Sequence, residues 1–244
     1  MKNNHTWVIC AYGESEFLEA CILSLQAQTL LSKIICYSST PLDSIKQLCQ
    51  KYGIPFYTKE GGGIGKDWNN ALSFVETSYA TIAHQDDYYK PTYLEAVMQK
   101  IEQSKDILIA YTDYFEEKNG VKIPANTNLK IKTLMLKTLN LMPSSRFWRN
   151  RVLAFGNPIS CPAVTYNLEA LRDFRFDEEM RVSLVGMLGT RLVIIRGDLL
   201  IFLRNSCATG FMESRKQPRL FQIILGPKKI CSCISFSGLS GWLI

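Results

Sequence analysis

Short, largely apolar runs about one strand long recur through the first half of the chain and alternate with stretches patterned for helices. Trp7-Val-Ile-Cys-Ala-Tyr12, Lys33-Ile-Ile-Cys-Tyr37, Ile54-Pro-Phe-Tyr57, Tyr79-Ala-Thr-Ile-Ala83 and Ile107 to Tyr114 are apolar and rich in β-formers, which predicts buried strands. After the first of them, Gly13-Glu-Ser-Glu16 opens a helix, with Ser15 placed to cap it and acids in its first turn. Phe17, Cys21, Leu25 and Gln28 follow at helical spacing. Ser44 to Tyr52 predicts a second helix closed by Gly53, Asp67 to Thr77 a third after a glycine-rich loop, and Tyr93 to Ser104 a fourth. This alternation over the first 115 residues predicts an α/β fold, a mostly parallel sheet flanked by helices. Ligands in such sheets bind at the carboxyl ends of the strands, and the polar loops Tyr12–Glu14, Ser38–Thr40 and His84–Asp87 all leave from such ends.

Further on, residues 129–142 mix leucines with lysines, and Pro143-Ser-Ser145 separates them from Arg146, Arg149 and Arg151. From Lys130 to Arg151 there are six basic residues and no acid. One reading is a core-packing helix whose lysines snorkel; the other is a face turned to a membrane or a lipid-linked acceptor. The net charge of +6 is mild, and no aromatic–basic pattern or recognition helix supports nucleic-acid binding. No apolar run reaches the length of a membrane span, and Trp7 to Tyr12, followed by Glu14, is too short for a signal peptide. The eight cysteines contain no C-x-x-C pair, so reduced thiols in a cytoplasm are expected, rather than a disulfide framework or a zinc site.

Two segments carry chemistry. Gly61-Gly-Gly-Ile-Gly65-Lys66-Asp67 suggests a phosphate loop, but its glycine spacing is one short of a P-loop and Asp67 stands where Ser or Thr would hold magnesium. The dinucleotide spacing fails as well, which removes a Rossmann oxidoreductase; a flexible loop or one that closes over a donor remain. His84-Gln85-Asp86-Asp87 places two adjacent acids directly after a buried strand, where they are costly unless paired or metal-bound. Carboxylates of this kind hold magnesium or manganese together with phosphate oxygens; the alternative is a cap for the helix near Tyr93.

The order strand–Ala11-Tyr12-Gly13, helix, strand–Ser38-Ser39-Thr40, Gly65 to Asn69, strand–Asp86-Asp87 resembles the family-two glycosyltransferases over about residues 6–183. That resemblance implies a GT-A fold, a nucleotide-diphospho sugar donor, a glycan or lipid-linked acceptor, and a cytoplasmic location that includes the inner face of the plasma membrane. It implies that Ala11, Tyr12 and Glu14 flank the nucleobase and that Ser38 lies in the same site. Asp67 and Asn69 would touch ribose or diphosphate, and Asp86 and Asp87 would hold the divalent cation, Mg or Mn, with Asp86 also facing the donor. Two departures stand out: Ser38 and Ser39 replace the usual acid after the second strand, and His84 replaces the first acid of the usual motif. Asn157-Pro-Ile-Ser-Cys-Pro162 and Phe174-Arg-Phe-Asp177 resemble the acceptor side, or are packed loops.

The expected organisation is a glycosyltransferase domain over residues 1–183, with a donor half to 115 and an acceptor-side part from 116, then an aberrant, irregular tail over 184–244. The family's catalytic base sits in an Asp-Trp-Asp-like segment, and none follows Ser183. Ser183-Leu-Val-Gly-Met-Leu-Gly-Thr-Arg-Leu192 can be encoded so that restoring one A in the Val185 codon yields Ser-Leu-Asp-Trp-Asp-Ala-Trp-Asn-Glu-Ile. In that frame Ala208 to Glu213 reads Arg-His-Arg-Ile-His-Gly, a histidine-bearing stretch in the order these enzymes use. A one-nucleotide deletion therefore accounts for the tail. The chain is then a transferase impaired by loss of its base, or a non-catalytic nucleotide-sugar-binding remnant.

Overall fold

A computed structural model describes residues 4–103, 107–118, 121–142, 144–179 and 202–210, the last stretch as backbone only. The expected boundary at Ser183 and the tail beyond it, apart from 202–210, lie outside the described residues.

The buried runs form strands β1 (His5–Cys10), β2 (Lys33–Tyr37), β3 (Phe56–Tyr57) and β4 (Tyr79–His84), joined in parallel in the order β3-β2-β1-β4. Their crossovers are helices α1 (Leu18–Gln26), α2 (Asp43–Lys51) and α3 (Ile64–Leu72). A two-residue strand β5 (Tyr88–Tyr89) precedes α4 (Tyr93–Glu102); β6 (Ile109–Lys118) and β7 (Val121–Lys122) form a hairpin. Then come α5 (Thr127–Leu139), α6 (Arg146–Leu153), a 3₁₀ turn at Cys161–Ala163, β8 (Val164–Asn167) and β9 (Phe202–Gly210). Beyond β4 the sheet continues through β8, β6, β9 and β5, with β8 antiparallel to both β4 and β6 and β9 parallel to β6. The α/β fold with its parallel central strands matches the sequence reading. β8 and β9 are additions that no motif announced.

Alternation along β1 divides the core. Trp7 and Ile9 point to one face, under α1, α2 and α4, where Leu18, Ile22, Ile45, Leu94 and Val97 pack. Val8 points to the other, against Ala71 of α3. Farther along that second face α5 and α6 add Leu136, Leu139 and Val152 beneath Ile82, Ile109 and Tyr111. Helix starts differ from the pattern. Ser15 does not cap α1; its hydroxyl accepts the Phe17 N–H at 3.2 Å and shapes the turn before the helix. α3 begins three residues before Asp67, since Gly63 at φ +123° supplies the N-cap and the backbone bond Asp67 N–H to Gly63 carbonyl closes its first turn. Gly53 at φ +65° ends α2 as expected.

Two features tie distant segments together. Buried His5 bonds Ser32 Oγ through Nδ1 and Thr81 Oγ1 through Nε2, both at 2.9 Å, and Thr81 Oγ1 meets Thr165 Oγ1 at 2.7 Å. Ser32 donates its hydroxyl to the His5 carbonyl, so Nδ1 carries the ring proton and Nε2 accepts from Thr81. A neutral ring thus links Ser32, the residue before β2, to β4 and β8. Second, residues 174–179 lie on α3. Asn69 donates to the Phe176 carbonyl at 2.9 Å and accepts its N–H at 2.8 Å, while the Phe176 ring packs edge-on to Trp68 at 5.0 Å. A Cβ on Gly65 would stand 2.2 Å from the Asp177 carbonyl oxygen.

Burial lowers the His5 pKa to about 3. The unfolded ring titrates near ~6.5, so between these values only the unfolded chain takes up the proton. This contribution to stability is complete above the unfolded pKa and drains away as pH falls toward the folded one. Denaturant unfolding at pH 7 and 5 should therefore show a loss of about 2 kcal/mol from this ring, which His5→Phe removes; equal pH slopes for the two proteins would contradict it. Gly65→Ala should displace residues 176–178 and cost roughly 1–3 kcal/mol in the same assay.

Candidate functional site

The carboxyl ends of β1, β2 and β4 face one edge of the sheet, because their parallel register aligns Cys10 with Tyr37 and with His84. The loops leaving them are stitched together. Gln85 accepts the Tyr12 N–H at 3.0 Å and donates to the Tyr12 carbonyl at 2.9 Å, a two-point clasp between the first loop and the acidic segment. Gly13, at φ +63°, turns its N–H toward Thr40 Oγ1 at 3.4 Å. Cys21 of α1 donates its thiol to the His84 carbonyl at 3.3 Å. The ring of Tyr12 stays 56% exposed at this edge, while Ala11 is buried with its N–H on the Tyr37 carbonyl. Glu14 is exposed.

Ser38 points inward. Its buried hydroxyl accepts the Thr40 N–H at 3.2 Å and thereby forms the turn rather than the surface of the site. Ser39 takes the outward role and donates to Asp67 Oδ2 at 3.1 Å; the Tyr37 hydroxyl approaches Oδ1 at 3.5 Å. Burial raises the Asp67 pKa, against those hydroxyls and the charge of Lys66. Gly61 lets the glycine loop close over this pair, since a Cβ there would lie 2.6 Å from Ser39 Cβ and 2.8 Å from Asp67 Oδ1. Asn69, expected beside the donor, uses both ends of its amide on Phe176.

The acids after β4 are not a helix cap: Thr92 holds that position in α4, and β5 intervenes. Asp86 is exposed and Asp87 is buried, 7% exposed. The Asp87 N–H turns back to the His84 carbonyl at 3.2 Å, and its carboxylate lies 3.6 Å from His84 Nδ1. Burial, and then the charge of Asp86, push the Asp87 carboxyl well above the usual range; burial lowers His84. One ligand atom each from His84, Asp86 and Asp87 falls within 4.8 Å of the others. Two crowded carboxylates, one of them desolvated, fit a divalent cation, which would relieve their mutual repulsion. His84, which stands in place of the motif's first acid, belongs to the same cluster.

Among the acceptor-side segments, Asn157 clasps the Ile159 peptide with both ends of its amide. Phe176 is buried among Trp68, Tyr166 and Phe174. Both segments are packed loops, and the second carries Asp177 and Glu178 to the start of α3. The clasps by Gln85, Asn69 and Asn157 were not foreseen; a single amide side chain, in a loop or on a helix, gives no pattern that names a main-chain partner.

The chain resembles the glycosyltransferase GlyA of Streptococcus pneumoniae serotype 4, 24% identical over 123 residues, which is 48% of this chain and 18% of GlyA. Its fold is similar to S. aureus TarS 1-349 in complex with UDP-GlcNAc, at TM-score 0.64 and 16% identity, over 89% of this chain and 60% of that one. It is also similar to glucosyl-3-phosphoglycerate synthase from Mycobacterium tuberculosis in complex with Mg2+ and UDP, at TM-score 0.56 and 15% identity, over 90% and 73% of the two chains. The chain thus spans under a fifth of GlyA and about three fifths of the TarS fragment, and the likeness to the two structures carries the GT-A fold. The sequence profile described as Glycosyl transferase family 2 matches residues 6–162, the stretch that contains the clasped loops and the acid cluster, and the chain belongs to that family.

Proposed function

We propose that this fold serves inverting transfer of a sugar from a nucleoside-diphospho sugar to a hydroxyl of a glycan or lipid-linked acceptor. The observation that carries the reading is the Asp86–Asp87 pair, one acid exposed and one buried, at the carboxyl edge of a parallel sheet. Asp86 and Asp87 would hold Mg or Mn, with His84 beside them. A cation there supplies positive charge to the diphosphate as it leaves. The exposed Tyr12 ring, on a loop whose backbone Gln85 clasps, offers a surface on which a nucleobase can stack. Ala11, Glu14 and the Ser38–Thr40 turn border the same edge, and Asp67 lies under the glycine loop, within reach of ribose or diphosphate. In the transfer, a carboxylate takes the acceptor's hydroxyl proton, the oxygen bonds to the anomeric carbon, and the bond to the diphosphate breaks.

That carboxylate is the missing part. We infer that a one-nucleotide deletion at the Val185 codon removed an Asp-Trp-Asp segment, leaving this chain able to bind donor and impaired in transfer by roughly 10²–10⁴-fold. The absence of that segment also supports the second reading, a nucleotide-sugar-binding remnant. Asp177 and Glu178 at the start of α3, and buried Asp113 on β6, are the acids that remain to be tested as substitutes.

No helix among the described residues is long and apolar enough to cross a membrane. Cys10, Cys21, Cys36, Cys49 and Cys161 are free thiols, in keeping with a proposed cytoplasmic site of action.

Titration calorimetry with UDP should give binding in Mn2+ that EDTA abolishes, weakened roughly 10- to 100-fold in Asp87→Asn and Asp86→Asn. Metal-independent binding, or none in the parent chain, would sink the donor assignment. Resequencing the gene across codons 175–215 in an independent copy should show the extra base. The restored protein should turn over UDP-sugar at least ~10²-fold faster than this chain; equal rates would place the base elsewhere.

A further inference from the structure

We propose that the outward faces of α5 and α6 form a docking surface for an anionic lipid bilayer, on which the protein lies without crossing it. Of the nine large apolar side chains exposed among the described residues, six fall between 131 and 155. In α5, Lys130, Leu134 and Lys137 share one face at spacing i, i+4, i+7, with Ile131 beside them, and all four are exposed. The opposite face, Leu129, Leu136 and Leu139, is buried against the sheet. The turn after α5 leaves Leu141 and Met142 72% and 56% exposed. α6 repeats the division: Val152 and Arg149 face inward, while Arg146, Phe147 and Arg151 face out, the Arg151 guanidinium lying 5.0 Å from the Phe147 ring. Phe155 follows at 87% exposure. Trp148 Nε1 donates to the Thr138 carbonyl at 2.7 Å, which joins α6 to the carboxyl end of α5.

Isolated exposed apolar residues are ordinary; a concentration on two neighbouring helices marks a contact surface. The charge decides its partner. With basic residues and no acid from Lys130 to Arg151, the face complements an anionic surface. A second copy of the same face would bring Lys130, Lys137 and Arg151 against their own like charges. α5 has 13 residues, roughly 20 Å, which is short of a bilayer's hydrocarbon core but suited to lying in its interface. Lys130 and Lys137 also border, with Lys122, Tyr114 and Asp113, an open groove of about 340 Å³ between α5 and β6. The inference stands apart from the donor chemistry.

The test is co-sedimentation of the full chain with vesicles of phosphatidylcholine alone or with about 30% phosphatidylglycerol. Partitioning onto the anionic vesicles should be at least ~10-fold greater at about 0.1 M salt and should shrink toward the neutral value at about 0.5 M. Joint Lys130→Gln and Lys137→Gln substitution should lower it roughly 10- to 30-fold. Phe147→Ser with Phe155→Ser, both at exposed positions and checked for folding by circular dichroism, should lower it similarly. Equal binding to neutral and anionic vesicles, or variants that partition like the parent, would overturn the proposal. So would absence of vesicle binding together with a dimer in analytical ultracentrifugation that Phe147→Ser dissolves, which would assign the face to a second copy.

Discussion

Cys10 and His84 end their strands side by side in a parallel ladder that begins at His5 and Tyr79, and the loops that leave them emerge at one edge of the sheet. Parallel pairing is what makes this happen, since every βαβ crossover returns the chain to the opposite edge before the next strand starts. β2 adds Tyr37 to the same row. Tyr12, the Ser38–Thr40 turn and the acid pair are therefore neighbours by topology before any of their side chains interact. The His5–Thr81–Thr165 hydrogen bonds run beneath the strands at the far end of this ladder and fix its register from within the core.

The parallel part of the sheet was the most legible part of the chain because its signals are local. A buried parallel strand reads as an apolar run, and two acids directly after one have few uses. The limits appear where a partner lies far along the chain. Gln85 and Tyr12 are 73 residues apart, Asn69 and Phe176 107 apart, and a single amide side chain does not say which peptide it will hold. Helix starts were misjudged for a related reason: Gly63 and Phe17 occupy cap positions without a side-chain oxygen, so propensity alone points to the wrong residue. β8 escaped notice because four residues flanked by a 3₁₀ turn give no period to detect. Ser38 was assigned to the site by its place in the motif, and only the structure distinguishes it from Ser39, one residue on and pointing the other way.

The lysine-rich stretch illustrates how two readings of one pattern can describe opposite sides of one element. Leu129, Leu136 and Leu139 make α5 a core helix, while Lys130, Ile131, Leu134 and Lys137 give it an outer surface no core requires. Arg149, one of the six basic residues of this stretch, turns inward with Val152.

The amide clasps have a consequence for how such a site can diversify. Gln85 grips the peptide of Tyr12 and touches none of its side chain, and Asn69 treats Phe176 in the same way. Drift at position 12 can therefore exchange one ring for another, or for none, while the loop that carries it keeps its path. A substitution at position 12 changes the ring offered at this edge, while the backbone clasp by Gln85 keeps the loop in place. The residue that varies and the residue that preserves the geometry are then different ones, set 73 positions apart.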